Sequence, residues 1–341
     1  MTRKVVIAAL AVVVSGVVIG YAVRYPFFDF GKPTPQDPAL EVALEVKSAF
    51  AVVIENAPVV RDPEGSSDPE REARPQWGLA EADVVFETLA EGGITRYMAI
   101  FETEEAKQIG PVRSLRPYFL DWALGFRVPF AFSGGSSEAL ARIENGADGE
   151  KAINEFFNED TFWRDKSRGA PHNLFTSSGL MLDLLEGKGW TGSSFTRGWR
   201  TKDRDPVAGT PAASQIFVDI GLGSFAVEYR YDQSIGSYGR FLGGQPHADA
   251  ATGAQLNTDN VVVLETTSRL LDQKLLTLDI ETFGSGKAYI FQGGGVLQAR
   301  WQKNSLTEPL RLVDADGSLV ALNKGKTWIA VLDQTGNISW K

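Results

Sequence analysis

The feature that most constrains this chain is one uncharged apolar segment near its start, residues 5–23. Arg3 and Lys4 precede it and Arg24 follows it. At ~1.5 Å rise per residue, a helix of this length just crosses the ~30 Å hydrocarbon core of a membrane. A cleaved secretory signal also begins with basic residues, but its apolar part is typically only ~7–15 residues long. We therefore expect residues 1–24 to form an uncleaved transmembrane anchor, and either alternative exports the rest of the chain.

Composition then limits what the exported part can be. Of the 341 residues, 43% are hydrophobic and 23% are charged, which is typical of globular domains, and the length favours two of them. The net charge of -9 argues against a nucleic-acid partner, because such proteins need a basic surface. With 0 cysteines the chain has no disulfide, no cysteine-ligated metal and no lipid-bearing cysteine.

The chain after the anchor divides into a stalk and two folded parts. Prolines in residues 25–45 favour an extended spacer. Residues 46–200 mix apolar runs of strand length with segments of helical spacing, which predicts an α/β or α+β domain. Residues 201–341 carry short alternating runs between turn residues, which predicts a mainly β domain. The predicted strands are 51–54, 82–89, 97–101, 128–132, 225–231, 260–264, 287–291, 296–301 and 327–332, and the predicted helices are 119–126, 138–143 and 177–186.

Two runs, residues 110–119 and 162–173, are dense in arginine, aromatic and amide groups. The planar guanidinium fork can bind two oxygens of a carboxylate or phosphate at once, and an imidazole or amide can orient such a ligand. The alternative is that each arginine pairs with an acidic neighbour and holds a loop. The candidate ligand-binding residues are Arg96, Arg113, Ser114, Arg116, Arg164, Arg168, His172 and Asn173.

A metal site is a further hypothesis for the strand at residues 82–89. Alternation along that strand places Asp83 and Glu87 on one face. Two carboxylates beside an arginine cluster could hold Mg²⁺ against a pyrophosphate. The alternative is that both carboxylates simply pair with arginines.

Three tryptophans stand out in the second part of the chain: Trp301, Trp328 and Trp340. A carbohydrate-stacking face is one use of such residues. The default expectation is that they are core.

Longer motifs resemble one known family. They are the lines at 83–96, 109–119 and 162–173, followed by 238–241, 246–249, 260–263 and 325–329. Together they resemble the YerB-like family of bacterial envelope proteins over nearly the whole chain after the stalk. The resemblance implies an envelope location and a two-domain architecture, and it carries no established activity. Many members look like lipoproteins, and here the segment at 5–23 would replace the lipid-bearing cysteine.

The sequence therefore predicts a single-pass membrane protein whose extracytoplasmic body binds an anionic envelope polymer or lipid-linked ligand through an arginine-rich pocket. One alternative is a metal-dependent phosphotransferase or hydrolase acting on phosphate-linked envelope glycopolymers. It rests on the metal hypothesis and on a loose similarity, in the order of features, to the LytR-CpsA-Psr phosphotransferases. A second alternative is an envelope scaffold that holds partner proteins.

Overall fold

The computed structural model describes residues 48–58, 72–146, 151–192, 195, 197–204, 213–221, 225–274 and 276–341. The predicted anchor and stalk, residues 1–45, lie outside this part of the chain. None of the helices formed by the described residues is long and apolar enough to span a membrane. Glu45–Lys341 form one compact unit.

The first part of the chain is α/β, as the sequence predicts. Its strands are β1 (Phe50–Glu55), β2 (Val84–Leu89), β3 (Thr95–Phe101), β4 (Phe130–Phe132), β5 (Ala152–Asn154), β6 (Trp163–Arg164) and β7 (Leu174–Phe175). Its helices are α1 (Pro117–Phe126), α2 (Ser137–Asn145) and α3 (Ser178–Gly187). At the start of α3 the Ser177 hydroxyl accepts a hydrogen bond from the Leu180 amide at 3.2 Å and so caps the helix.

The second part is mainly β, again as predicted. Its strands are β8 (Arg200–Lys202), β9 (Gln215–Asp219), β10 (Ala226–Asp232), β11 (Ser237–Leu242), β12 (Gln245–Pro246), β13 (Asn257–Thr258), β14 (Asn260–Glu265), β15 (Ser268–Asp272), β16 (Thr277–Ile280), β17 (Gly284–Gln292), β18 (Gly295–Lys303), β19 (Arg311–Val313), β20 (Ala321–Asn323), β21 (Thr327–Leu332) and β22 (Asn337–Trp340). All five strands predicted in this part fall within or largely overlap these elements.

Both parts contribute to one ten-stranded sheet in the order β19-β18-β17-β14-β21-β2-β3-β1-β4-β5. The parts meet where β21 pairs in parallel with β2, over Val84–Glu87 against Thr327–Ala330. A separate six-stranded sheet has the order β12-β11-β10-β9-β22, with β13 paired to β11. The second part therefore completes the main sheet of the first.

Alternating side chains of the central strands fill a core on each face of the large sheet. From β1, Val52 and Ile54 join one core while Ala51 and Val53 join the other. The first core lies against α3 and the six-stranded sheet. The second core lies against α1, which packs its aromatic residues there. The end of β1 is thus fixed from both faces.

Candidate functional site

The backbone brings the two arginine-rich runs together beside the end of β1. The amide of Val112 donates to the carbonyl of Leu174 at 2.7 Å, and Ile109 exchanges two such bonds with Thr176. On the other side, the amide of Arg113 donates to the carbonyl of Val53 at 2.8 Å. The segment that carries Arg113 is therefore held between β1 and the chain that follows His172.

Glu55, the last residue of β1, lies at the centre of this arrangement and is only 3% exposed. Its Oε2 is 2.7 Å from Nδ1 of His172, and its Oε1 is 3.1 Å from Nε of Arg113. Burial by itself would raise the pKa of the Glu55 carboxyl. The hydrogen bond to His172 and the charges of Arg113 and Arg96 outweigh burial and lower that pKa, so the carboxylate is charged at neutral pH. We call Glu55, Arg113 and His172 the Glu55-anchored site.

The Glu55-anchored site leaves hydrogen-bonding capacity on two of its members. Among the described residues, neither terminal amine of Arg113 nor Nε2 of His172 has a hydrogen-bond partner. The Arg113 side chain is 26% exposed and that of His172 is 10% exposed. Because Glu55 occupies one edge of each group, their free edges have fixed positions. A guanidinium and an imidazole held this way can bind the oxygens of an anion.

Arg164 and Arg168 lie next to this site but are more fully engaged. Arg164 donates to Oδ1 of Asn173 at 3.1 Å and to Oε1 of Glu155 at 2.8 Å. Arg168 donates to the carbonyl of His172 at 3.0 Å, and its guanidinium lies 4.9 Å from the ring centre of Trp77. Arg168 and Asn173 thus hold the loop around His172. Arg164 remains 45% exposed and can still reach a ligand.

Arg96 and Arg116 form a separate cluster around Glu91. Arg116 bonds Glu91 through Nε, and the Nη2 of Arg96 lies 3.5 Å from the other Glu91 oxygen. Arg96 also donates to the carbonyl of Ser114 at 3.0 Å. Burial and the charge of Arg116 lower the pKa of Arg96 to about 10. For these arginines the structure shows the acidic pairing that the sequence left as an alternative.

Arg116 lines a cleft of about 490 Å³ that does not include Arg113 or His172. Glu91, Glu138 and Asp272 line the same cleft. Its acidic side chains outnumber its cation, so this cleft does not suit an anion. The two arginines of residues 110–119 therefore face different surroundings.

The carboxylates proposed for magnesium are both occupied by protein donors. Asp83 precedes β2 and accepts hydrogen bonds from the amides of Glu102 at 2.7 Å and Thr103 at 2.9 Å. Glu87 is fully buried. Within the described part of the chain, no group of three or more His, Cys, Asp or Glu side chains is placed to hold a metal ion.

Glu87 belongs instead to a buried polar network that joins the two parts of the chain. It accepts hydrogen bonds from Arg240 at 2.8 Å, Trp328 at 3.0 Å and Thr95 at 3.0 Å. Arg240 also donates through Nε to Nδ1 of His247 at 3.0 Å. Burial and the Arg240 charge hold the pKa of His247 far below its usual range, so this imidazole is neutral.

Comparison with known proteins agrees with the resemblance. Residues 38–191 match the N-terminal domain, and residues 218–329 the C-terminal domain, of a family described as a protein of unknown function, DUF3048. YerB of Bacillus subtilis (strain 168), a candidate lipoprotein by name, is 34% identical over 266 residues, which is 76% of this chain and 77% of that protein. The chain belongs to the YerB-like family. The crystal structure of YerB protein from Bacillus subtilis superposes with a TM-score of 0.71 at 30% identity and covers 86% of this chain and 94% of that one.

Sequence reasoning about this YerB-like chain missed the acidic member of its site. Glu55 lies 117 positions before His172 and was not singled out. Glu155, which pairs with Arg164 beside the site, lies only nine positions before that arginine and was not singled out either. A signal for Glu55 existed, because an acidic residue directly follows the buried apolar run at 51–54. A carboxylate at the end of a buried strand needs a cation partner, and the arginine runs supply it.

Proposed function

We propose that this YerB-like protein binds an anionic cell-envelope ligand at the Glu55-anchored site. The observation that carries the proposal is the free edge of two groups that share one buried carboxylate. Glu55 orients Arg113 and His172, while the terminal amines of Arg113 and Nε2 of His172 keep their capacity to donate to or accept from a ligand.

The donor groups of the site favour a small anionic group. Glu55 offsets the charge of Arg113, while the terminal N–H groups of Arg113 and Nε2 of His172 remain available to a ligand. Arg164, 45% exposed and bonded to Asn173 beside His172, supplies a further donor at the rim. A phosphate or carboxylate group on an envelope polymer or lipid-linked molecule fits this set.

The proposed location is the outer side of the cell membrane. Support comes from the apolar segment at residues 5–23 and from the relative YerB, which is named as a candidate lipoprotein. A membrane-held protein of this kind would meet wall polymers and lipid-linked precursors rather than cytoplasmic nucleotides.

Calorimetric titration of the compact unit Glu45–Lys341 with inorganic pyrophosphate and with citrate tests the proposal. Arg113→Ala should weaken binding of the preferred probe by about tenfold or more, as expected for loss of a charge-assisted contact. Lys107→Ala, the loss of an exposed lysine outside the site, is the control. Equal affinity in the wild type, Arg113→Ala and His172→Ala would overturn the proposal, provided that all three unfold at similar temperatures.

The enzyme alternative draws no support from the described residues, because the carboxylate oxygens of Asp83 and Glu87 accept hydrogen bonds from protein donors.

The scaffold alternative has one supporting observation. Phe156 and Phe157 are 59% and 83% exposed, which is unusual for adjacent aromatic side chains and typical of a contact surface. Replacing both with serine should abolish cross-linking to a partner in membrane extracts, and unchanged cross-linking would remove this candidate.

A further inference from the structure

The three tryptophans singled out in the sequence have different environments. Trp301 and Trp328 are 4% exposed and belong to the core, as the default expectation holds. Trp340, on the edge strand β22, is only half-buried. Its ring contacts Tyr289 of β17 at 5.4 Å between centroids and Phe291 at 5.5 Å. Trp340 therefore joins the edge strand of the six-stranded sheet to β17, a strand inside the ten-stranded sheet.

Trp340 and Tyr289 line a cleft of about 410 Å³ at this junction. The other lining groups that matter are Glu265, Asn337 and Asp333. None of the residues of the Glu55-anchored site is among the lining residues of this cleft. The cleft is thus a separate feature of the surface.

Three polar groups in the cleft have no hydrogen-bond partner among the described residues: the indole N–H of Trp340, the hydroxyl of Tyr289 and the side-chain amide of Asn337. One oxygen of Glu265 is also free, while the other lies 3.4 Å from the ammonium of Lys287. A half-buried Trp or Tyr usually finds a partner for its polar atom. Here donors and acceptors lie around an aromatic surface instead.

We propose that this cleft binds an uncharged saccharide. A sugar ring has an apolar C–H face that packs on an indole, and hydroxyls at its edge that both donate and accept. Glu265 accepts from such hydroxyls, and Asn337, Tyr289 and Trp340 donate to them. The carboxylates of Glu265 and Asp333 disfavour phosphate and carboxylate ligands, so the preferred ligand differs in charge from that of the Glu55-anchored site.

The test is calorimetric titration of the compact unit Glu45–Lys341 with the tetrasaccharide of β-1,4-linked N-acetylglucosamine. Trp340→Ala should weaken binding by about tenfold or more, and Glu265→Gln should weaken it by a smaller factor. Trp190→Ala, which removes another half-buried tryptophan outside the cleft, should bind as the wild type does. Arg113→Ala should also bind as the wild type does, which separates this inference from the proposed function.

Three outcomes would overturn the inference. The first is the absence of saturable binding to this tetrasaccharide and to a matched glucose tetrasaccharide. The second is equal affinity in the wild type, Asn337→Ala and Glu265→Gln. These two substitutions change exposed or half-buried side chains, so they keep the fold intact even if Trp340→Ala does not. The third is binding only of alkylammonium ions, since a cation would then be the ligand of the aromatic pair.

Discussion

The carboxylate of Glu87 and the guanidinium of Arg240 form an ion pair at 2.8 Å, although 153 positions separate them in the chain. Their side chains are 0% and 1% exposed. Glu87 lies on β2 in the first part of the chain and Arg240 on β11 in the second. The pair therefore ties the two sheets together at a point from which water is excluded.

Breaking this pair from one side should be far more harmful than removing both charges. Arg240→Met leaves a buried, unpaired Glu87 and should lower the free energy of unfolding by about 3–5 kcal/mol. Adding Glu87→Gln should restore part of that loss, because no uncompensated charge remains. Urea unfolding of both single variants and the double variant measures the coupling. Strict additivity of the two losses would contradict the interpretation.

The shared ten-stranded sheet predicts that the two parts depend on each other for folding. In a chain of residues 48–200 alone, β2 lacks its parallel partner β21 and exposes an apolar edge. We expect that fragment to unfold without a cooperative transition or to aggregate, as judged by urea titration and light scattering. Mixing it with residues 201–341 should restore a cooperative transition. A fragment that unfolds cooperatively alone would show that the parts are independent domains.

The lowered pKa of Glu55 predicts a pH-dependent contribution to stability. The folded protein holds this proton less tightly than the unfolded chain, whose carboxyl titrates near the ordinary value of 4.5. The contribution is therefore present above that value and is lost as the pH falls through the lower pKa of the folded state. The difference in the free energy of unfolding between wild type and Glu55→Gln should shrink as the pH falls from about 6 to about 3, the range in which carboxyl groups titrate.

A matched control for that measurement is Glu186→Gln, because Glu186 is exposed on α3. Its effect on the free energy of unfolding should stay within about 0.5 kcal/mol at every pH. If the effect of Glu55→Gln on the free energy of unfolding is also independent of pH, then His172 and Arg113 do not stabilise the charged form of Glu55.

Arg113 and Arg116 should differ in their effect on ligand binding although both belong to residues 110–119. Arg113 keeps its terminal amines free in the Glu55-anchored site, whereas Arg116 bonds Glu91 in an acidic cleft. Arg116→Ala should leave affinity for the anionic probe unchanged and cost up to about 1 kcal/mol of stability. Calorimetry and urea unfolding of the same preparations separate the two effects. An equal loss of affinity in both variants would assign Arg116 to the ligand site as well.

Gly198 predicts a strong local packing constraint. A Cβ at this buried glycine would overlap the carbonyl oxygen of Leu310, which belongs to rigid backbone. Gly198→Ala should therefore lower the free energy of unfolding by about 2–4 kcal/mol. Gly187→Ala is the control, since a Cβ there meets nothing within 4 Å. Similar stabilities for the two variants would contradict the packing shown around Gly198.

Sequence patterns were reliable where a structure depends on neighbouring residues. The helix predicted at 177–186 is confirmed as α3, Ser178–Gly187. Its start depends on residues close in sequence, since the Ser177 hydroxyl accepts from the Leu180 amide. The strand predicted at 82–89 begins two positions later, at Val84. The backbone of Asp83 still pairs with both neighbouring strands, since its amide donates to the carbonyl of Ile100 and its carbonyl accepts from the amide of Thr327. Its carboxylate accepts from the amides of Glu102 and Thr103, a tertiary contact that the strand pattern did not predict.

The sequence by itself determined the α/β and β character of the two parts, the apolar segment at 5–23 and the two arginine-rich runs. Each of these follows from spacing or composition within a short stretch. Only the tertiary structure decided which arginine meets which carboxylate. Glu55 and His172 lie 117 positions apart and meet because β1 and the loop before β7 pack on the same segment. Local sequence patterns do not predict such pairings, because an ion pair forms wherever the tertiary fold brings two charged groups together away from water.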